Sequence, residues 1–215
     1  MLKVWGRRNS INVQKVMWTI GELGLEHEHI PAGGAFGGLD TPDYRAMNPN
    51  GLVPVIDDDG IVIWESHAII RYLATKYGIG PLWPEDPAER SLADRWIDWT
   101  ATMLQAAFIN CVFWGAYRTA PERQNKAMIA EGLARTNELF AILDGHLADK
   151  PYITGDRFTM GDIPPGAQLY RYFTMDIERP DLPNVEAWYA RLQARPAYQG
   201  HVMIPYDDLK GRLAF

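Results

Sequence analysis

The stretch "NPNGLVPVIDDDGIVIWESHAIIRYLA", residues 48–74, decides the fold. Two β-branched runs, "LVPVI" and "IVIWE", flank "DDDG", and runs of that kind about an acidic-glycine turn read as an antiparallel hairpin. Directly behind the second run, Ser66 opens a helix with Ile69, Ile70, Leu73 and Tyr77 available for its apolar stripe. Towards the N-terminus, "LKVW" at 2–5 reads as a short strand. Residues 12–23 place Val13, Val16, Met17, Ile20 and Leu23 on one helical stripe, with Gly24 as its stop. "EHEHIPA" reads as a second strand, and the glycine-rich "GGAFGGLD" leads to a short helix around "TPDYRAMNP". The order strand, helix, strand, helix, strand, strand, helix, with a right-handed crossover between the first two strands, predicts an α/β unit. It is a small mixed sheet with helices on both faces.

Towards the C-terminus the character changes. "YGIGPLWPEDPAERS" concentrates glycine and proline as an interdomain linker does. Beyond it the β signals fade, and "AERSLADRWIDWTATMLQAAFINCVFWGAY" and "ERQNKAMIAEGLARTNELFAILDGHLAD" are long and helical in pattern, with shorter helices at 161–174 and 184–195. The expected division is residues 1–78, a linker at 79–87, and an all-α domain at 88–215. A total of 215 residues is ample for two modest cores.

The formal charge of −6, without a long basic run, excludes the broad positive field that phosphate backbones need, so nucleic acid is not an expected partner. No secretory leader is evident at the start, and no stretch is apolar enough for a membrane span; "LQAAFINCVFWGAY" is broken by Gln105 and Asn110. The single cysteine, Cys111, excludes an internal disulfide and a Cys-x-x-Cys centre and points to the cytoplasm. Its apolar neighbours make it a small buried residue. No histidine spacing suggests a metal site.

Three features of the first half are candidates for chemistry. Ser10 and Asn12, in "GRRNSINVQKVMW", open the first helix and are both good N-cap types. Pro54 follows Val53 and reads either as an edge-strand proline or as a cis proline. Glu65 and Ser66 stand at the start of the third helix, where Ser66 suits a cap and Glu65 complements the helix dipole. Each has this plain structural account when taken alone.

Together and in this order, "SINVQKV", "NPNGLVPVI" and "WESHAIIRYLA", followed by a helical half, closely resemble the cytosolic glutathione S-transferases, nearest their serine-type branches. The resemblance covers essentially the whole chain. It implies a thioredoxin-like N-terminal domain (βαβαββα) and a C-terminal α-helical bundle. It also implies glutathione as co-substrate without a metal, attack of its sulfur on a small electrophile, and a homodimer. Val53, before a cis Pro54, would pair its backbone with the cysteinyl unit. Glu65 would take the γ-glutamyl ammonium and Ser66 the carboxylate, which a helix N-terminus also favours. Ser10 would donate to the thiolate, with Asn12 as support or rival. The energy is sufficient. Lowering a thiol pKa of about 8.5 by two units takes roughly 2.7 kcal/mol. A hydrogen bond to a charged group supplies about 1.5–3 kcal/mol and the helix N-terminus about 0.3–1.

Two features set the chain apart from that family. Leu52 stands where many members carry a lysine that meets the glycyl carboxylate, and "GRRNS" stands where Arg-Pro is expected. Phe113, Trp114, Tyr117 and Arg118 fall where members build the electrophile pocket, with Met103 a further candidate, although aromatics at helical spacing also suit a core. Asp94 and Asp98 suit either a solvated face or the neighbouring subunit's glutathione. His67 suits either the site or the helix surface. "FTMGDI" at 158–163 has Thr159 and Asp162 at capping-box spacing, a structural role. Two other functions stay open on these residues: a glutathione-dependent disulfide or peroxide reductase, and a non-catalytic glutathione-binding or interaction module.

Overall fold

In the computed structural model, which describes residues 1–213, β1 (Leu2–Trp5) is an inner strand of a four-stranded sheet. The order is β2-β1-β3-β4, with β2 (His27–Ile30) parallel to β1, β3 (Val55–Asp58) antiparallel to β1, and β4 (Ile61–Trp64) antiparallel to β3. Helix α1 (Ile11–Leu23) makes the crossover, and Gly24 ends it in the left-handed region, at φ 63°, where a side chain would be strained. The short α2 (Pro42–Met47) is capped by the Thr41 hydroxyl.

The hairpin turn is tighter than expected. Asp57 and Asp58 belong to β3, so the turn is Asp59-Gly60 alone, both at positive φ, the mirror-image geometry that matches strand twist. Asp58 is drawn inward by its partners: the buried carboxylate accepts from Lys76 Nζ at 2.7 Å and from the Tyr72 and Tyr77 hydroxyls at 2.8 Å. This also corrects the apolar stripe of α3 (Ser66–Tyr77). Ile69, Ile70 and Leu73 are buried, but Tyr77 is 40% exposed because its hydroxyl reaches for Asp58.

The second half begins at α4 (Pro87–Trp99), capped by Asp86, and runs without a break into a wider helix, Thr100–Arg118, of π type. Then follow α5 (Lys126–His146), α6 (Ile163–Thr174), α7 (Pro183–Gln193) and α8 (Pro196–His201), the last unexpected from the sequence. The capping box forms as expected. Thr159 and Asp162 serve each other's backbone in the turn before α6, and Phe158 and Ile163 are buried beside them.

One face of the sheet and α1 enclose Val4, Val13, Val16, Ile20, Ile56 and Ile69. The opposite side of α1 faces the helical half, where Trp18 meets Phe158 and Tyr198 and shares a continuous apolar core with Ile70 and Ala74 of α3. Arg195 closes that seam with a bidentate pair to Glu22, at 2.8 and 2.6 Å. Among the described residues no helix is long and apolar enough to cross a membrane.

Candidate active site

The candidate side chains of α1 and of the segment before β3 gather where the first turn of α1 meets the wide helix. Ser10 occupies the N-cap position of α1 and is 8% exposed, yet its hydroxyl makes no capping bond and turns to the cavity. The backbone opens the helix unaided, Gln14 N–H donating to Ser10 O at 2.8 Å. Asn12 lines the same cavity. Its Oδ1 accepts from Lys15 Nζ at 3.1 Å, which leaves the amide NH2 as the end that can donate elsewhere. The cavity, of about 150 Å³, is also lined by Leu52 and Val53. Val53 lies just before β3, across a cis bond from Pro54, and among the described residues its N–H and carbonyl take no hydrogen bond.

Glu65 and Ser66 stand outside the cavity, at the N-terminus of α3. Glu65 adopts φ 72° and ψ 112°, a region costly for any residue with a Cβ, by about 1–3 kcal/mol. The strained turn leaves the Glu65 side chain exposed and Ser66 buried at the first position of the helix.

Lys15 is a functional candidate that no local pattern in the chain singles out. It has no exposed surface, and its ammonium lies between Asn12 Oδ1, His67 Nε2 at 3.1 Å and Gln105 Oε1 at 2.6 Å, so that it joins α1, α3 and the wide helix. Burial pushes its pKa down to about 7 against the pull of Glu65, with Arg171 adding to the fall. His67, expected on the helix surface or in the site, is instead an acceptor for Lys15, and burial holds its ring neutral.

The wide helix supplies the opposite wall through Gln105, Ile109, Asn110, Phe113, Trp114 and Arg118. Its pitch corrects the expected pocket. Eleven residues make about three turns of an α-helix but about two and a half of a helix bonded i→i+5. Met103 therefore lies on the face opposite Trp114, 45% exposed in an outer groove with Met128 and Cys111. Tyr117 falls behind the cavity, stacked on Phe113 with centroids 5.4 Å apart and edge-on to Tyr206. Cys111 is part-exposed rather than buried, its Cβ filling the space that Gly132 leaves. Asp94 and Asp98 both hold Arg71.

Of the expected residues, then, Ser10, Asn12, Leu52, Val53, Trp114 and Arg118 line one cavity, whereas Met103 and Tyr117 do not. Arg7 and Asn9, from the loop that leads into Ser10, and Arg171 and Leu209, from the far end of the chain, complete it. The loop before Ser10 is tied to the helical half by Arg8 on Gly200 O at 2.8 Å, Asn9 Nδ2 on Asp208 at 2.7 Å, and Arg171 on Asn9 O at 2.6 Å.

Comparison with known proteins gives this geometry its context. Residues 9–76 match the family described as "Glutathione S-transferase, N-terminal domain", and residues 101–196 match "Glutathione S-transferase, C-terminal domain". The chain is 42% identical over 207 residues to glutathione S-transferase GstB of Escherichia coli (strain K12), covering 95% of this chain and 99% of that protein. It is 33% identical over 211 residues to glutathione S-transferase 3 of Zea mays, with 92% and 91% covered. Among solved structures it superposes with a TM-score of 0.90 on the theta class glutathione S-transferase from Xanthomonas axonopodis pv. citri with glutathione bound. That protein is 51% identical, with 95% of this chain and 98% of the other covered.

Proposed function

Because the chain belongs to the glutathione S-transferase family, we propose that its Ser10 and Asn12 hold the sulfur of glutathione as a thiolate for attack on a small electrophile. The observation that carries this reading is the Ser10 hydroxyl, which stands at an N-cap without capping and faces the cavity beside the Asn12 amide. Two such donors and the unpaired N–H groups of the first turn of α1 together supply the roughly 2.7 kcal/mol that a fall of two pKa units takes. Activation in this arrangement is stabilisation of the anion, and the thiol proton leaves to water.

The remainder of the tripeptide is assigned by fit. Val53, with its N–H and carbonyl both unused among the described residues, pairs with the cysteinyl backbone as a strand edge would, and Pro54 sets the turn. Glu65 takes the γ-glutamyl ammonium, while Ser66 and the N-terminus of α3 take its carboxylate. The strained backbone at Glu65 supports this, since strain of that kind persists where function over-determines a conformation. Leu52 gives the glycyl end an apolar contact in place of a charge. Residues 1–78 act as the glutathione-binding unit and 88–215 as the unit that shapes the electrophile pocket, in a cytoplasmic homodimer.

The test is an ultraviolet titration of the bound thiol in the wild type, Ser10→Ala and Asn12→Ala. A thiolate signal at neutral pH, with its midpoint raised by about one to two units in the variant that lacks the main donor, is the expected result. Bound glutathione that titrates near its free value in the wild type would overturn the reading and favour a binding module. Faster turnover of glutathione-linked disulfides than of haloaromatics would replace the transfer reaction with reduction.

A further inference from the structure

The cavity carries more positive charge than holding a thiolate requires. Arg7 and Arg171 both line it, although the chain as a whole is acidic, at −6. Arg171 is 3% exposed, and among the described residues it forms no ion pair. Its guanidinium donates to Asn9 O and lies 4.3 Å from the centroid of Phe113, and its Nε is buried without an acceptor. Among the described residues Asp208 is the carboxylate that draws on both Arg7 and Arg171, and it already accepts from Asn9 Nδ2. A buried cation is ordinarily matched by a carboxylate or another anion, because leaving it unmatched costs several kcal/mol.

Position makes this charge part of the electrophile side. Arg171 is held against the residue next to Ser10, and Phe113, Trp114 and Leu209 frame the same space. The γ-glutamyl end is assigned to Glu65 and Ser66, outside this cavity. Taking the glutathione reading above as its basis, we propose that Arg171, with Arg7, is a binding site for an anionic group on the second substrate. The substrate class is then an electrophile with a carboxylate carried on a flat apolar frame. Arginine suits the task, because its planar fork meets a carboxylate bidentately while the ring of Phe113 supports the frame. In water the negative thiolate and a negative electrophile repel each other. Two arginines at the point of encounter remove that barrier.

For a chlorinated nitrobenzoate, the thiolate sulfur adds to the ring carbon that bears chlorine and chloride departs. One C–S bond forms and one C–Cl bond breaks. The thiol proton goes to solvent, and the carboxylate is unchanged.

The experiment compares para-chloro-meta-nitrobenzoate with its methyl ester, each rate divided by its uncatalysed rate with free glutathione. The expected wild-type enzyme favours the acid over the ester by about tenfold or more on this scale. In Arg171→Met the acid-to-ester ratio of kcat/KM falls by about 10–100-fold. Arg171→Lys keeps part of the preference, and Arg7→Met loses a smaller part. No acid preference in the wild type overturns the proposal. So does an equal loss on acid and ester in Arg171→Met, which would make Arg171 a clamp for the Ser10 loop. The thiolate band, recorded on the same samples, separates the two readings. A normal band without acid preference defeats the anion site alone, whereas a missing band in the wild type defeats the glutathione assignment beneath it.

Discussion

Replacing Asp162 with alanine is expected to remove about 3–5 kcal/mol of stability, a large share of the roughly 5–15 kcal/mol that a folded domain ordinarily has. Its carboxylate is wholly buried and accepts from Ile153 N at 2.9 Å, Trp188 Nε1 at 3.0 Å, Thr159 N at 2.9 Å and Thr159 Oγ1 at 3.4 Å. Those donors belong to the loop after α5, to α7 and to the turn that opens α6. One side chain therefore sets the relative positions of three segments. Truncation leaves the donors buried without an acceptor, at about 1–3 kcal/mol each before relaxation. The substitution Asp162→Asn turns an NH2 toward one set of donors, so it is expected to cost nearly as much. Burial raises the Asp162 carboxyl to about 6 even against these donors. A group raised in the folded state contributes most below its unfolded value, and that contribution is lost as the pH rises through about 6. Urea midpoints of the wild type, Asp162→Ala and Asp162→Asn measure all of this. An alanine variant within about 1 kcal/mol of the wild type would refute the role.

The second large effect concerns Lys15. In the unfolded chain its ammonium keeps its proton to about 10.5, whereas in the fold burial brings release down to about 7. Between those values the unfolded state binds more protons, so stability rises with pH, by as much as about 1.4 kcal/mol per unit from this group. Arg171, lowered to about 9 by its own burial, adds to the rise at the upper end of the range. The difference between wild type and Lys15→Met isolates the lysine. The wild type is expected to gain on the variant as the pH goes from about 7 to about 9.5, and chemical denaturation at intervals across that window reads it. Parallel stability curves would show that Lys15 keeps its ordinary pKa and that water reaches it. The protein thus carries an ionisable group directly beneath Asn12, bonded at 3.1 Å. Its protonated form fixes which end of the amide faces the cavity.

The parts of the molecule that are legible in the sequence are those encoded locally. The hairpin, the stripe of α1, the Thr159–Asp162 box and the Ser10, Val53 and Glu65 positions each depend on neighbours within a few residues. What is not legible comes from distance or from pitch. Lys15 lies on a helix with an amphipathic pattern, where a lysine ordinarily faces water, and only Gln105, ninety residues on, reveals that it does not. Arg171 and Leu209 reach the cavity through the packing of the helical half. The wide helix misleads differently, since its apolar residues satisfy an α stripe nearly as well as a wider one. Met103 and Tyr117 leave the expected face for that reason.

The ties on the loop before Ser10 also bear on when in its own synthesis the enzyme becomes active. Ser10 is made well before the groups that fasten its loop, Arg171, Gly200 and Asp208, which lie 162, 192 and 199 residues beyond their partners in that loop. N-terminal segments generally fold as they emerge, so the sheet and α1 are in place well before these groups arrive. A nascent or prematurely ended chain therefore has the serine without the setting that aims it. On the thiolate role proposed above for Ser10, a chain that stops short of these ties is expected to hold the sulfur of glutathione less firmly than the whole one.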